Sequence, residues 1–441
     1  MNALDCFEKI DLDALERDLI QIRRELHQNP EAGWTEFETT VKIIGEAERL
    51  GLHYRFGKEI HTPEYMYGMP DANALEQEAD RAAERTGRTD LIDRMRGGNT
   101  GCIVRIEGSE PGPASALRFD IDCNDVQETD APEHMPNRLG FASTRKNLMH
   151  ACGHDGHAAI GIGVMRLLAA CRERLKGSVT IAFQPAEEGA RGADSMTRTG
   201  FLKGIQYIVA CHLGIKAREL GLIIAGCHGF LASTKLDVTF TGRAAHAAIS
   251  PESGRNALAA AAVAVSNLLA IPRHSAGSSR VNVGVLNSGT GRNVIPDRAF
   301  MAIETRGADS AINAFVENCA KRVCRNAAEM YECAHETRTV GLNCNTVCDP
   351  ELVAFVHRSA VELPDVTEIL DDVDFGGGDD VAYMMNYVRA HGGKATDILI
   401  GCDLDAPHHS TNFDFNERAI LIGVKVLTKA ILDLSECGGL G

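Results

Sequence analysis

The stretch His150-Ala151-Cys152-Gly153-His154-Asp155-Gly156-His157 puts three imidazoles, a thiol and a carboxylate into eight residues. All three side-chain types bind borderline metal ions. Cys152 and His154 lie two apart, so an irregular loop can turn both toward one ion. Asp155 is placed to accept the second ring proton of a ligand histidine and so fix its tautomer. Without a metal, the same stretch is a polar turn in which Asp155 caps a following helix.

A second group, Gln184-Pro185-Ala186-Glu187-Glu188-Gly189, follows the apolar run SVTIAF. Neighbouring side chains on extended backbone point to opposite sides. One carboxylate can then hold metal while the other acts as general base on water; a solvated acidic turn is the plainer alternative. His212 closes the run QYIVAC, and Ala406-Pro407-His408-His409-Ser410 follows ATDILIG. Open α/β sheets assemble their sites at the carboxyl ends of strands, and several of these runs end in a possible donor. That convergence points to metal-activated water, whose pKa falls to roughly 7 on a divalent ion.

The elements that must hold these donors are legible in outline. Leu15, Leu19, Ile22 and Leu26 form one helical stripe that Pro30 ends. A second helix covers 37–50, and the charged, Ala-rich segment 64–96 reads as a surface helical insertion closed by Gly97, Gly98 and Gly101. Strand-like runs CIVRI, ASALRF, SVTIAF and QYIVAC follow, with a helix over 156–171 between the second and third. This is α/β alternation. From Lys235 the order becomes β-α-β-β-α-β, the ferredoxin-like arrangement. Helices at 350–361 and 379–388, the strand ATDILIG and a last helix after Asn416 resume the α/β pattern.

Composition narrows the function. With 61 acidic and 45 basic residues among 441, the net charge is −16, which argues against a nucleic-acid surface and against anionic membranes. The longest apolar run, Ala257 to Val265, is far short of the roughly 20 residues a span needs. The chain opens on a charged, helix-like stretch and not on a basic-then-apolar leader, so a soluble cytoplasmic protein is expected. Its 14 cysteines contain no CxxC, and the group Cys319, Cys324, Cys333, Cys344, Cys348 lacks zinc-finger spacing. They read as small buried hydrophobes.

Taken jointly, HACGHDGH, FQPAEEGARGA, the strand-end His212, FTGRAAHAA, GTGRNVIPD, ETRG and HHSTNFDF resemble the metal-dependent amidohydrolases related to aminoacylases and carboxypeptidases. Within them the likeness is to the branch of hippurate and indole-acetyl-amino-acid hydrolases. It runs over nearly the whole chain, including the insertion near 60–98 that ends in GGNTGCIVRIEG. The resemblance implies a two-domain, di-metal peptidase-like fold. An α/β catalytic domain would span 1–228 and 346–441, interrupted by a ferredoxin-like α+β dimerisation or lid domain at 229–345.

The resemblance also implies two divalent ions, Mn²⁺ or Zn²⁺, on Cys152, His154, Glu188, His212 and His409, with His408 left outside the set. Glu187 falls on the general base and acid, and Asp120 supports the ligands from behind, as Asp155 does for a histidine. His246, from this chain or a partner, stands where the family has an oxyanion donor. Asn293 and Arg306 match positions that hold a substrate carboxylate; apart from the resemblance, Arg191 and Arg292 are available as a second cationic contact for a glutamate side chain, a solvated role for either being the alternative. Cys123-Asn124-Asp125 replace the family's Ala-Leu-Pro. The implied reaction is hydrolysis of an N-acyl amino acid, p-aminobenzoyl-glutamate to p-aminobenzoate and glutamate before others. Hippurate-like amides, dipeptides, and a chain active only with a homologous partner are the alternatives. A homodimer, or a heterodimer with a homologous chain, is implied.

Overall fold

The computed structural model describes Phe7, residues 10–437 and Leu440; the first residues of the charged opening stretch (1–6, 8 and 9) lie outside the described residues. The chain separates into two compact units, Met1–His228 with Thr346–Phe375 and Asp380–Gly441, and Gly229–Asn345 with Gly376–Asp379.

The first unit is built on an eight-stranded sheet. Its spatial order is His53–Phe56, Cys102–Glu107, Lys176–Gln184, Glu110–Asp120, Tyr207–Leu213, Lys394–Ile400, Leu222–Ile224 and Glu368–Leu370. Lys176–Gln184, Glu110–Asp120, Tyr207–Leu213 and Lys394–Ile400 are parallel neighbours. Their carboxyl ends therefore share one edge. The pleat sends alternate residues to two cores. Val179, Ile181 and Phe183 pack with the helices Leu12–Gln28, His154–Ala170 and Arg418–Glu436, whereas Ala182 joins Met196, Met384 and Val388 on the opposite face. Burial on both faces explains why these strands read as continuous apolar runs.

Helix starts follow local chemistry. Asp11 accepts from the Ala14 N–H at 2.9 Å, and the stripe Leu15, Leu19, Ile22 and Leu26 is buried as its spacing predicts. Segment 64–96 is helical, at Ala72–Thr86 and Thr89–Met95, but it is not merely a surface feature. Ala79, Ala82, Leu91, Ile92 and Met95 join the main core. The helix expected at 379–388 begins later, at Ala382–Ala390. The short strands at His53–Phe56, Leu222–Ile224 and Glu368–Leu370 were not legible, being three or four residues long.

The second unit runs Ala232–Thr241, helix Ala257–Leu269, Ser279–Ser288, Arg298–Gly307, helix Ser310–Met330 and Ala334–Asn343. Its sheet order is Ala334–Asn343, Ala232–Thr241, Arg298–Gly307, Ser279–Ser288, antiparallel throughout. This is the ferredoxin-like topology the sequence pattern predicts. Leu236, Val238, Phe240, Met301 and Ile303 fill its core.

Candidate metal centre

The carboxyl edge of the parallel strands gathers the donors of the first unit. Gly153, at φ 92°, turns the chain into the helix that begins with His154. The His154 Nδ1–H donates to the Asp122 carbonyl at 2.9 Å, which leaves its Nε2 lone pair facing the site. His212, at the end of its strand, donates Nδ1–H to the Leu213 carbonyl at 2.7 Å, and its Nε2 lies 3.6 Å from Cys152 Sγ. Both rings thus present Nε2.

The carboxylates meet them. Glu188 Oε1 lies 3.9 Å from His154 Nε2 and 3.3 Å from His409 Nε2, and Glu187 Oε2 lies 4.0 Å from His154 Nε2. The His409 N–H donates to the Ala151 carbonyl at 2.7 Å, tying the two donor loops together. Cys152, His154 and His212 form one triad and Cys152, Glu188 and His409 a second, the donor atoms of each within 4.8 Å of one another. The triads share the Cys152 thiol.

The donor set fits divalent cations. His154 Nε2 and Glu188 Oε1 are buried with no hydrogen-bond partner, and a buried polar atom left that way is costly. Burial disfavours a charged His154, yet Asp120, Asp122 and Cys152 hold its pKa well above the usual histidine value. Surroundings that favour a proton there favour a metal cation as well. Burial, with His157 and His408 nearby, pushes His212 well below its usual value, leaving a neutral ring suited to ligation. Burial works to raise Glu188, but His409, His154 and the Asn124 amide bring it down to about 2. The Asn124 that departs from the family pattern therefore acts electrostatically on the Glu188 carboxylate.

The loop carrying Glu187 and Glu188 is conformationally demanding. Ala186 and Ala190 sit at φ 54° and 58°, a region costing non-glycine residues about 1–3 kcal/mol each when strained. Buried acidic side chains hold it by its N–H groups. Glu36 accepts from Ala186 at 2.7 Å, Asp122 from Glu187 and Glu188 at 3.0 Å each, and Asp380 from Gly192 and Ala193 at 3.1 and 3.0 Å. Burial and the nearby Asp122 push Glu36 up to about 8. Asp122, Glu36 and Asp380 were not singled out in the sequence, because an acid that grips backbone N–H groups leaves no spacing signature. The alternation Asp120, Asp122 on one strand end was the available clue.

Asp120 stands behind the donors. It accepts from His157 Nδ1 and Arg118 Nη1, each at 2.5 Å. Burial would raise its carboxyl, but Arg118, His154 and His157 hold it well below the usual range. His157 is satisfied on both sides, its Nε2 accepting from the Leu213 N–H at 2.8 Å. His408 Nε2 likewise accepts from the Ile215 N–H at 2.9 Å.

Two expectations differ from what is observed. Asp155 orients no donor ring; its carboxylate takes Arg23 Nε and His27 Nδ1, each at 2.8 Å, and the Asp122 carbonyl fills the role expected of it. The reason is helical, since successive residues project about 100° apart. Arg191 is committed to backbone, donating to the Glu188 carbonyl at 2.7 Å and the Gly68 carbonyl at 3.3 Å.

The remaining candidates belong to the second unit. His246 is exposed, and its Nδ1 accepts from the Ala248 and Ile249 N–H groups at 3.1 and 3.2 Å. The ring proton is therefore on Nε2. Asn293 lies beside it, its carbonyl accepting from Ala247 at 3.0 Å, and like Arg292 it is exposed. Arg306 forks onto Glu304 at 2.9 and 3.1 Å.

Comparison with known proteins places this geometry in context. Residues 116–433 match the model of peptidase family M20/M25/M40. The chain is 38% identical over 430 residues to a component chain of the p-aminobenzoyl-glutamate hydrolase of Escherichia coli, covering 97% of this chain and 98% of that protein. It is 39% identical over 417 residues to indole-3-acetyl-aspartic acid hydrolase of Enterobacter agglomerans, covering 94% and 95%. The crystal structure of an aminobenzoyl-glutamate utilization protein from Klebsiella pneumoniae superposes with a TM-score of 0.83 at 33% identity, over 98% of this chain and 100% of that one. A dinuclear metal-binding peptidase of family M20 from Bacillus subtilis gives 0.65 at 25% identity, over 96% and 99%.

Proposed function

Because the chain belongs to peptidase family M20/M25/M40, we propose that it is a metal-dependent amidohydrolase that cleaves N-acyl amino acids, with p-aminobenzoyl-glutamate as its preferred substrate. The observation that carries this reading is the convergence of Cys152, His154, Glu188, His212 and His409 on one strand edge with Glu187 beside them. The identity to a chain of a p-aminobenzoyl-glutamate hydrolase supports the choice of acyl group.

Two divalent ions held by the two triads would supply an activated water and polarise the scissile carbonyl. Cys152 suits a softer ion such as Zn²⁺, and the imidazole and carboxylate donors suit Mn²⁺ equally. Glu187 takes the proton of the attacking water and returns it to the leaving nitrogen. Its backbone, held by Asp122, fixes where that carboxylate sits. His246, with Nε2–H available, donates to the developing oxyanion. Asn293 and Arg306 receive the α-carboxylate of the amino-acid half, the guanidinium being suited to a bidentate grip.

The protein acts as a dimer in this reading, with a second copy or with a homologous chain. Its Escherichia coli relative is named as one component of a hydrolase, which supports the second form. The edge strand Ser279–Ser288, with Val285 and Leu286 exposed, is a surface such pairing would cover. No described helix is long and apolar enough to cross a membrane; we place the enzyme in the cytoplasm.

The test is a turnover screen of metal-reconstituted protein against p-aminobenzoyl-glutamate, indole-3-acetyl-aspartate, hippurate and dipeptides. The highest kcat/KM is expected for p-aminobenzoyl-glutamate. Faster cleavage of a dipeptide would overturn the substrate assignment.

A further inference from the structure

The 185–193 loop is gripped by buried carboxyl groups on its N–H side, and its carbonyl side is held from a different part of the first unit. Arg191 Nε donates to the Glu188 carbonyl at 2.7 Å, and Nη1 reaches the Gly68 carbonyl at 3.3 Å. The Arg191 N–H donates to the Ala186 carbonyl at 3.1 Å, and the Arg191 carbonyl accepts from the Tyr67 N–H at 3.4 Å. Beneath this bridge lies Trp34, the chain's one tryptophan. It is fully buried against Ala186 and Leu75, with Met66 and Met69 alongside, and donates its indole N–H to the Tyr67 carbonyl at 2.7 Å. Farther along, the Thr62 N–H donates to the Ser195 carbonyl at 3.1 Å, and His61 Nδ1 lies 2.8 Å from Ser195 Oγ. Segment 61–69 is thus sewn to the backbone that presents both glutamates.

We infer that the 60–98 insertion is the abutment of the general-base loop, and that Arg191 is a positioning residue carrying that support to Glu188 rather than a contact for a substrate carboxylate. The inference rests on the amidohydrolase reading of Glu187 and Glu188. Its physical basis is the fork of the guanidinium. One planar group bridges two carbonyls, one on the loop and one on the insertion, which a lysine cannot do with the same rigidity. Loss of the bridge leaves a loop with two non-glycine residues at positive φ held on its carbonyl side by main-chain bonds alone, and so freer to relax away from the position that serves the reaction.

The experiment uses the full-length, metal-loaded protein with Arg191→Met, Arg191→Lys and Gly33→Ala. The last variant keeps the Arg191 side chain, but the added methyl collides with its guanidinium and also crowds the Ala186 backbone at 3.0 Å, so it strains the brace and the loop together. A positioning role predicts kcat for p-aminobenzoyl-glutamate falling about 10–100-fold in all three, the range found for groups that orient reacting residues, with KM nearly unchanged. It also predicts a red shift of Trp34 emission in the same proteins, measured without substrate. A raised KM with unchanged kcat would make Arg191 a substrate contact and overturn the inference. Unchanged kcat, KM and emission would overturn it as well. Should Arg191→Met fail to fold, Arg191→Lys still decides, since it removes the fork and keeps the charge, and thermal melting identifies that case. The emission readout needs no turnover. A wild type that cleaves none of the amides would count against the proposed activity, while the tryptophan signal would still judge the brace.

Discussion

Apart from His409, whose side chain is 55% exposed, the donor edge of the first unit and the ferredoxin-like unit hold their candidate functional side chains in contrasting ways. On the strand edge Cys152, His154 and His212 are 6%, 1% and 4% exposed, and backbone carbonyls dictate which ring nitrogen of each histidine faces the site. In the second unit His246 and Asn293 are exposed, and the Arg306 fork is occupied only by Glu304 two residues away among the contacts described. Buried, over-determined groups lose little freedom when they act, which is what stabilising a transition state needs. Exposed groups with few partners remain free to adapt to a ligand and make contacts that bind substrate and transition state alike. The first set should govern kcat, joined from the second unit by His246 in its proposed role as oxyanion donor, whereas Asn293 and Arg306 should govern KM.

The sharpest break of that contrast is Glu187→Gln. Glutamine keeps the shape and the Asp122 grip on the backbone but cannot take a proton. We expect kcat to fall about 10³-fold, within the span of general acid–base catalysis, with metal content by elemental analysis unchanged. Unchanged turnover would remove Glu187 from the reaction. A lost equivalent of metal would instead make Glu187 a ligand, consistent with its place beside His154 and Glu188.

The two regions also differed in how much their sequences disclosed. The parallel strands were readable because burial on both faces leaves unbroken apolar runs, as in SVTIAF and QYIVAC. The ferredoxin-like order was readable because Leu236, Val238 and Phe240 alternate over a one-sided core. Three-residue strands such as Leu222–Ile224 carry too few residues for a period. Candidate donors could be named by type at the strand ends, and it took the family resemblance to choose among them, as with His409 over His408. The groups that hold them could not. Glu36 reaches Ala186 across 150 positions of sequence, and Arg191, which advertises an anion contact by its charge, serves two carbonyls instead.

A smaller effect tests the support behind the donor edge. Buried His27 sits between Asp155 at 2.8 Å and Glu128 at 3.1 Å. Burial and Arg23 oppose its charge, but those carboxylates lift its pKa from 6.5 to about 9. A histidine raised on folding adds stability that is complete below its unfolded pKa and disappears as pH climbs through the folded one. The window here is pH 6.5 to about 9. Across it the wild type should lose stability on the order of 3 kcal/mol from this group, read as a falling urea midpoint. His27→Gln should lie below wild type at pH 6 and show a flatter profile. Parallel profiles would mean that His27 is neutral in the folded protein.

The smallest expected effect probes the second unit. The Arg306–Glu304 pair has its side chains 41% and 27% exposed, and such pairs contribute only about 0–1 kcal/mol. An incoming carboxylate can therefore take the guanidinium from Glu304 at little cost. Arg306→Lys keeps the charge and loses the fork, and KM should rise about tenfold with kcat nearly constant. Glu304→Gln sharpens the point in the opposite direction. If Glu304 only competes for the guanidinium, its neutralisation lowers KM; if it instead orients the fork, KM rises in both variants. A fall in kcat at constant KM for Arg306→Lys would place this exposed arginine with the buried set, and the division of labour between the donor edge and the carboxylate contacts would no longer stand.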